Sequence, residues 1–531
     1  MSKNQVLAAE TLLRDHFGET VAKVGYVLLT EGWTPLQILI SRLKLPTSQI
    51  KQCVQLLLQH NVANFHVNQK GLVEFCCDAQ SVLILARFPW FLHTAKSLFG
   101  NLGELLIEEI LSNGQLSAPD CIKRVFAVSK PLGLCQSVEE LEKVFHSLAE
   151  TQFIKRCPNV EGENEASNPI LMTPIFVEYK NPFLVPDKLD INTEEKQENT
   201  SKKRKAEDET AVDILWRVNF NKIQLYLRDQ AILQFIDSTY GDVPIDVFRA
   251  FLRLNEVRSD PYALCSQPLS VNEAAKYVPD SSNLVPVQIQ QYATCITEDL
   301  SRMLKKVGES AGGQFIVDFT SASKKMAEIC VENLVREKFG SKALRIFRLL
   351  LMKGYLEQNQ LESFAMLPNK EAKDITYRLI SEGFISLKEV PKTSDFAPSR
   401  TFYLCYVNLP QIVRKLTDLS YKTMHNLISR RDYEIDQNKA LLDRQERLDS
   451  VIENIQADEN MDGETKQQHI RAVEEAYISL AEKEILSKHK RLVSRIQQAE
   501  IEVDQYLFLL ETYLKHIPKF ATAQSRRGGR K

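Results

Sequence analysis

Apolar positions in this chain recur at helical spacing in short blocks, and each set of blocks is followed by two stretches that alternate. Gln5 to Phe17 and Val21 to Thr30 carry the three-to-four-residue period of amphipathic helices. Thr34 then precedes Pro35 and the run LQILISRL, so Thr34 reads as an N-cap with proline at the first helical position. Pro46-Thr47 opens a further helix, on which Ile50, Val54, Leu57 and Leu58 form one apolar stripe. Val62 to Val67 and Leu72 to Cys76 then read as strands joined by Asn68 to Gly71.

The order recurs. Leu105 to Leu111, Ala118 to Val128 and Ser137 to Glu150 precede the strand-like FIKRC. Asp229 to Thr239, Val243 to Leu254 and Val287 to Asp299 precede RMLKKVGESAGGQFIVDF, a hairpin with a Gly-rich loop. Lys342 to Lys353, Gln360 to Met366 and Asn369 to Ser381 lead into strands at Phe384 to Val390 and Thr401 to Val407. A tight hairpin needs about two connecting residues, yet here a longer polar stretch holding Pro391 and Pro398 intervenes. Three helices followed by a hairpin are the order of a winged helix, whose inter-strand loop is the wing. A projecting wing must stay solvated, and prolines limit the entropy lost in ordering it.

From Leu409 the texture changes. Leu416, Ile428, Leu441, Leu448, Ile452 and Ile455 recur among many charges; after ADENMDGET the pattern resumes with Val473, Leu480, Leu486, Val493, Ile496, Val503, Leu507 and Leu510. Two long helices joined by a polar turn predict an antiparallel coiled-coil hairpin, the alternative being two helices packed on the rest of the protein. The expected fold class is mainly α with small β-hairpins: tandem winged-helix domains, then the coiled-coil hairpin. Expected boundaries are 1–80, 85–182, 213–320 and 321–408 for the four winged helices, 409–517 for the hairpin and 518–531 for a basic tail. Residues 183–212 are polar, charged and poor in large apolar residues, the composition of a disordered linker.

Composition narrows the chemistry. A net charge of −2 means that any nucleic-acid contact must come from local patches. The ten cysteines contain no C-x-x-C, which argues against a zinc finger and fits a reducing compartment. No signal-peptide pattern and no run of about 18 apolar residues is present, so no membrane partner is expected. The nine histidines form no H-E-x-x-H, and neither G-x-S-x-G nor a P-loop occurs. No catalytic residue, metal site or cofactor is therefore assigned. GESAGGQ at 308 to 314 reads as a wing turn, and Cys53 and Cys295 read as core cysteines.

Winged helices meet DNA with the third helix, helped by the wing. In the fourth unit, Ala372, Ile375 and Leu379 face inward, which turns Lys370, Lys373 and Tyr377 outward with Asp374 beside them. Lys388, Lys392 and Arg400 of the hairpin extend this set into a candidate phosphate-contacting surface, or an ordinary solvated face. The first unit presents Gln49, Gln52, Leu56 and Gln59 instead, neutral residues around an apolar one that suit a protein contact. Glu139, Glu140 and Glu142 on the second unit's third helix repel DNA. The run Lys202, Lys203, Arg204 and Lys205 suits a nuclear-import receptor, or simply balances neighbouring acids.

Several long stretches resemble one family. FGSKALRIFRLLL (339–351), FAMLPNKEAKDITYRLISEGFISLKEVPKT (364–393) and APSRTFYLCYVN (397–408) are similar to the winged-helix subunit of the RNA polymerase III peripheral heterotrimer, third of the C class and related to the large subunit of TFIIE. HFGE (16–19), LLQHN (57–61), FIKRCP (153–158) and RDQAI (228–232) extend the resemblance along the chain. It implies four winged helices, a coiled coil and no catalytic centre. It implies a place on the polymerase clamp with two smaller subunits, and contacts with TFIIIB and promoter DNA near the point of strand opening. Transcription of tRNA and 5S rRNA genes, nuclear localisation and sensing of AT-rich cytosolic DNA are further implications. A free-standing DNA-binding regulator is the rival reading. A scaffold of the proteasome-lid type would need a long run of helix pairs, which the alternating helices and hairpins do not supply.

Overall fold

The computed structural model describes residues 2–517 except 69–71, 136, 162–174, 178, 180, 187–213, 259–262, 280–283, 300, 393–399, 458–466, 468, 471 and 474–476. The expected import run at 202–205, the basic tail and most of the linker lie outside the described residues, as does most of the polar turn at 457–465. The chain forms two units, residues 1–223 with 421–504, and residues 224–420 with 505–531.

The first unit opens with α1 (Lys3–Phe17). A winged helix follows: α2 (Glu19–Glu31), β1 (Thr34–Pro35), α3 (Leu36–Leu43), α4 (Thr47–Gln59), β2 (Ala63–Val67) and β3 (Val73–Cys77). Leu28, Leu39, Ile50 and Leu57 are fully buried and form its core with Leu13 of α1. Thr34 does not cap α3. It pairs with Phe75 as part of a two-residue strand, and its hydroxyl donates to the Gly32 carbonyl at 2.9 Å. Proline tolerates this edge position because the missing N–H is not needed there.

After α5 (Ala79–Leu83) comes the second winged helix: α6 (Phe88–Asn113), β4 (Leu116–Ser117), α7 (Ala118–Ser129), α8 (Val138–Glu150) and β5 (Ile154–Arg156). A small hairpin, β6 (Asn159–Glu161) with β7 (Ile175–Val177), comes next. The sheet is closed by β8 (Leu215–Val218), which pairs with both β4 and β5. The expected boundary at 213 is therefore wrong: the strand after the polar segment belongs to the second winged helix. Fully buried Trp216 explains why, since its ring meets Phe145 of α8 edge-on at 5.4 Å. The expected linker interval falls between two strands of one sheet, not between two domains.

The second unit begins on α9 (Phe220–Tyr240), followed by α10 (Asp242–Arg258), β9 (Leu269–Ser270), the short α11 (Val271–Ala274), α12 (Pro286–Glu298), β10 (Leu304–Gly308) and β11 (Gln314–Val317). The sequence expectation placed α9, α10 and α12 as the three helices of this domain. By topology its first helix is α10, and its second is the single turn α11, too short to leave a periodic signal. Along α13 (Phe319–Phe339), Phe319, Ala322 and Met326 enter the third domain's core, and Ala327, Cys330, Val331 and Val335 enter the fourth's.

The fourth winged helix is α14 (Ser341–Lys353), β12 (Leu356–Glu357), α15 (Gln358–Ala365), α16 (Asn369–Ser381), β13 (Ser386–Pro391) and β14 (Thr401–Tyr406). The four three-stranded winged-helix sheets share one order, with the last strand central: β1-β3-β2, β4-β8-β5, β10-β11-β9 and β12-β14-β13. Two long helices complete the described chain, α17 (Leu409–Ala457) and α18 (Leu480–His516). They run antiparallel. Arg431 pairs with Glu500 at 2.7 Å and, further along α17, Arg444 pairs with Glu482 at 2.8 Å. Leu441 and Leu448, one heptad apart, are buried along this hairpin.

Candidate functional site

On α16, Ala372, Thr376 and Leu379 are buried at helical spacing, and the Thr376 hydroxyl donates to the Ala372 carbonyl at 2.8 Å. That inner stripe turns Lys370, Lys373 and Tyr377 outward, and Tyr377 is 75% exposed. With Pro368, Glu371 and Asp374 they line a shallow depression of about 720 Å³. The two acids are engaged: Glu371 pairs with Lys342, and Asp374 lies 3.2 Å from Arg378. Lys370 and Lys373 have no ion-pair partner among the described residues, so the face is locally cationic although the chain is near neutral.

The other three expected cations lie along the hairpin, Lys388 within β13 and Lys392 and Arg400 just beyond the paired residues. Lys388 stands opposite Leu404, and the backbone N–H of Lys392 donates to the Arg400 carbonyl at 2.9 Å just beyond the last pair. Strand alternation puts Lys388, Val390 and Lys392 on the face away from buried Cys405, which pairs with Leu387. The Lys388 ammonium lies 5.1 Å from the Tyr355 ring centroid, and the Lys392 ammonium 4.2 Å from that of Phe402. Sequence reasoning missed Tyr355 and Phe402. Phe402 was legible from its alternation with the basic positions; Tyr355 was not, because the two-residue strand after it leaves no periodic signal.

The docking face expected on the first winged helix is altered. Gln49 and Gln52 are exposed, but Leu56 is only half-exposed. The Gln59 side-chain amide donates to the Asn113 carbonyl at the end of α6, at 2.7 Å. Nearby, Arg217 of β8 donates to the Asn61 side chain at 2.8 Å. One end of this face is thus occupied by the chain's own second winged helix.

Among the described residues no group of His, Cys, Asp and Glu is arranged to hold a metal, and no helix is long and apolar enough to cross a membrane. Burial pushes the Cys77, Cys121 and Cys330 thiols up to about 12, which removes them as nucleophiles. Cys53 is buried as expected, whereas Cys295 is exposed on α12.

Comparison with known proteins bears on the whole chain. A rat protein named DNA-directed RNA polymerase III subunit RPC3 is 34% identical over 98% of this chain and 100% of its own length. This chain belongs to the RNA polymerase III subunit RPC3 family. The human and zebrafish RPC3 proteins are likewise 34% identical, each over 97% of this chain and 99% of their own length. Family models place the RPC82 helix-turn-helix domain at residues 8–68, RNA polymerase III subunit RPC82 at 177–326, the POLR3C C-terminal winged-helix domain at 331–407 and the RPC3 helical hairpin domain at 440–509. The C-terminal winged-helix match covers α14 through β14, the domain that carries both cationic groups.

Proposed function

We propose that the chain is a non-catalytic peripheral subunit of RNA polymerase III that supports transcription initiation. The observation that carries this reading is end-to-end similarity, over nearly equal lengths, to proteins named as RPC3 subunits of that polymerase. In this reading the chain sits on the polymerase clamp with two smaller subunits, contacts TFIIIB, and works in the nucleus on tRNA and 5S rRNA genes. Sensing of AT-rich cytosolic DNA through the same polymerase belongs to the proposal as well. The run Lys202–Lys205 serves nuclear import.

The fourth winged helix is the DNA-facing module, through Lys370, Lys373 and Tyr377 on α16 and Lys388, Lys392 and Arg400 along the hairpin. Its contacts are of the phosphate type and not sequence-specific. Tethering to the polymerase raises its effective concentration, so weak contacts suffice. It favours an opened promoter only as far as it binds that state better than the closed one. Gln52 and Leu56 remain a protein-docking pair.

Affinity purification of the tagged full chain from nuclear extract, followed by mass spectrometry, tests the assembly. Polymerase III subunits in near-equal amounts are expected; recovery of the chain without them refutes the reading and favours a free-standing regulator. Lys370→Glu with Lys373→Glu and Lys392→Glu is expected to weaken promoter-dependent transcription and leave assembly intact. Unchanged transcription removes the site assignment.

A further inference from the structure

Ile485, Lys488, Leu492 and Arg495 succeed one another along α18 at three-, four- and three-residue steps. That spacing holds them on one stripe of a helix. It is not the stripe turned toward α17. The latter runs through Glu482 and Glu500, which pair with Arg444 and Arg431, and through the half-buried Leu486, His489, Val493 and Ile496. Ile485 and Leu492 are 48% and 39% exposed, the Lys488 side chain is 73% exposed, and Arg495 is exposed, as is Arg491 beside it.

Ile485 and Leu492 stand seven residues apart on this exposed face, with Lys488 and Arg495 at the same spacing between and beyond them. Apolar and basic side chains alternating at this spacing are what one helix of a coiled coil offers another: apolar knobs at one core position and a charge at the other that selects its opposite. The geometry points to this stripe as a docking seam for a third helix, supplied by another protein, in which apolar residues alternate with Asp or Glu. A second copy of this chain fits less well, because it brings Lys488 and Arg495 against the same cations. Nucleic acid suits the cations but sets phosphates against Ile485 and Leu492. The nearest acid on α18 is Glu484, 3.6 Å from Lys488 and itself exposed, so Lys488 can exchange it for a partner carboxylate.

The partner's source rests on the polymerase reading above, and the test separates the two. The affinity-purified full-length chain, in whatever complex it brings down, is treated with a carbodiimide. This reagent joins a lysine amine to a carboxylate in contact with it, with no spacer. Mass spectrometry is expected to find Lys488 joined to an Asp or Glu of another protein, in a segment of heptad pattern. Leu492→Asp with Arg495→Glu should lower that product at least tenfold and spare the chain's other cross-links. Lys488 joined only to Glu484 or to a second copy overturns the seam, as does Lys488 unlinked while other lysines reach partner subunits. Loss of labelled-DNA binding in Lys488→Glu, with no such cross-link, assigns the stripe to nucleic acid instead. Polymerase subunits recovered without the Lys488 product defeat the seam alone. The Lys488 product formed without polymerase subunits defeats the polymerase reading alone.

Discussion

The Arg87 guanidinium lies 3.3 Å from the Asp504 carboxylate, with the two side chains 3% and 2% exposed. Arg87 leads into the second winged helix and Asp504 sits on α18, so a buried ion pair fastens that domain to the hairpin. Arg87→Leu leaves a carboxylate buried without its guanidinium and is expected to cost about 3–5 kcal/mol. Arg87→Met with Asp504→Leu replaces both charges by apolar groups and should recover most of that loss. Chemical denaturation of the three proteins checks both statements; equal stability of Arg87→Leu and the parent would show that the pair contributes nothing.

Trp216 assigns its strand to the second winged helix. Trp216→Ala removes a side chain that is 1% exposed and is expected to cost about 3–5 kcal/mol. Hydrogen exchange should locate the loosening on β4, β5 and α8. Loosening confined to α10 and α12 would mean that the strand serves the third domain instead.

Gly114 holds a φ of +75°, and a Cβ there would sit 2.7 Å from the Gln59 carbonyl oxygen. Gly114→Ala therefore combines left-handed strain of about 1–3 kcal/mol with a clash between backbones, and should loosen the first winged helix from the second. Gly18, at a φ of +87° with nothing within 4 Å of its Cβ position, is the control. Gly18→Ala should carry the strain alone. Equal losses of melting temperature in the two variants would argue that the close approach is unimportant.

His16 and His60 face the aromatic rings of Phe88 and Phe17 at 5.8 and 4.8 Å. Burial lowers both pKa values from the usual 6.5; for His16, Asp15 opposes this and Arg431 adds to it, and for His60 the charge of His16 adds to it. The sign follows. Above that value both rings are neutral, folded or unfolded. As pH falls through it, the unfolded chain takes up protons that the fold resists, and stability declines. The urea midpoint should drop between about pH 7.5 and 5.5, and His16→Gln with His60→Gln should flatten the drop. A midpoint that rises on acidification contradicts the buried, neutral assignment.

The sequence alone determined most of the helices, the long hairpin strands and the cationic face of α16, because each leaves a repeating mark of apolar positions. The spacing of Ala372 and Leu379 by itself turned Lys370 and Lys373 outward. Four features came only from tertiary structure. The two-residue strands such as Thr34–Pro35 are too short for any period and exist because a neighbouring strand pairs with them. Strand Leu215–Val218 joined a sheet begun before residue 160, since pairing depends on which backbone lies alongside, not on proximity in sequence. Gln59 looked free for a partner until the fold set Asn113 beside it. Arg87 and Asp504, 417 positions apart, became a pair only when packing excluded water from both, which no local pattern of residues encodes.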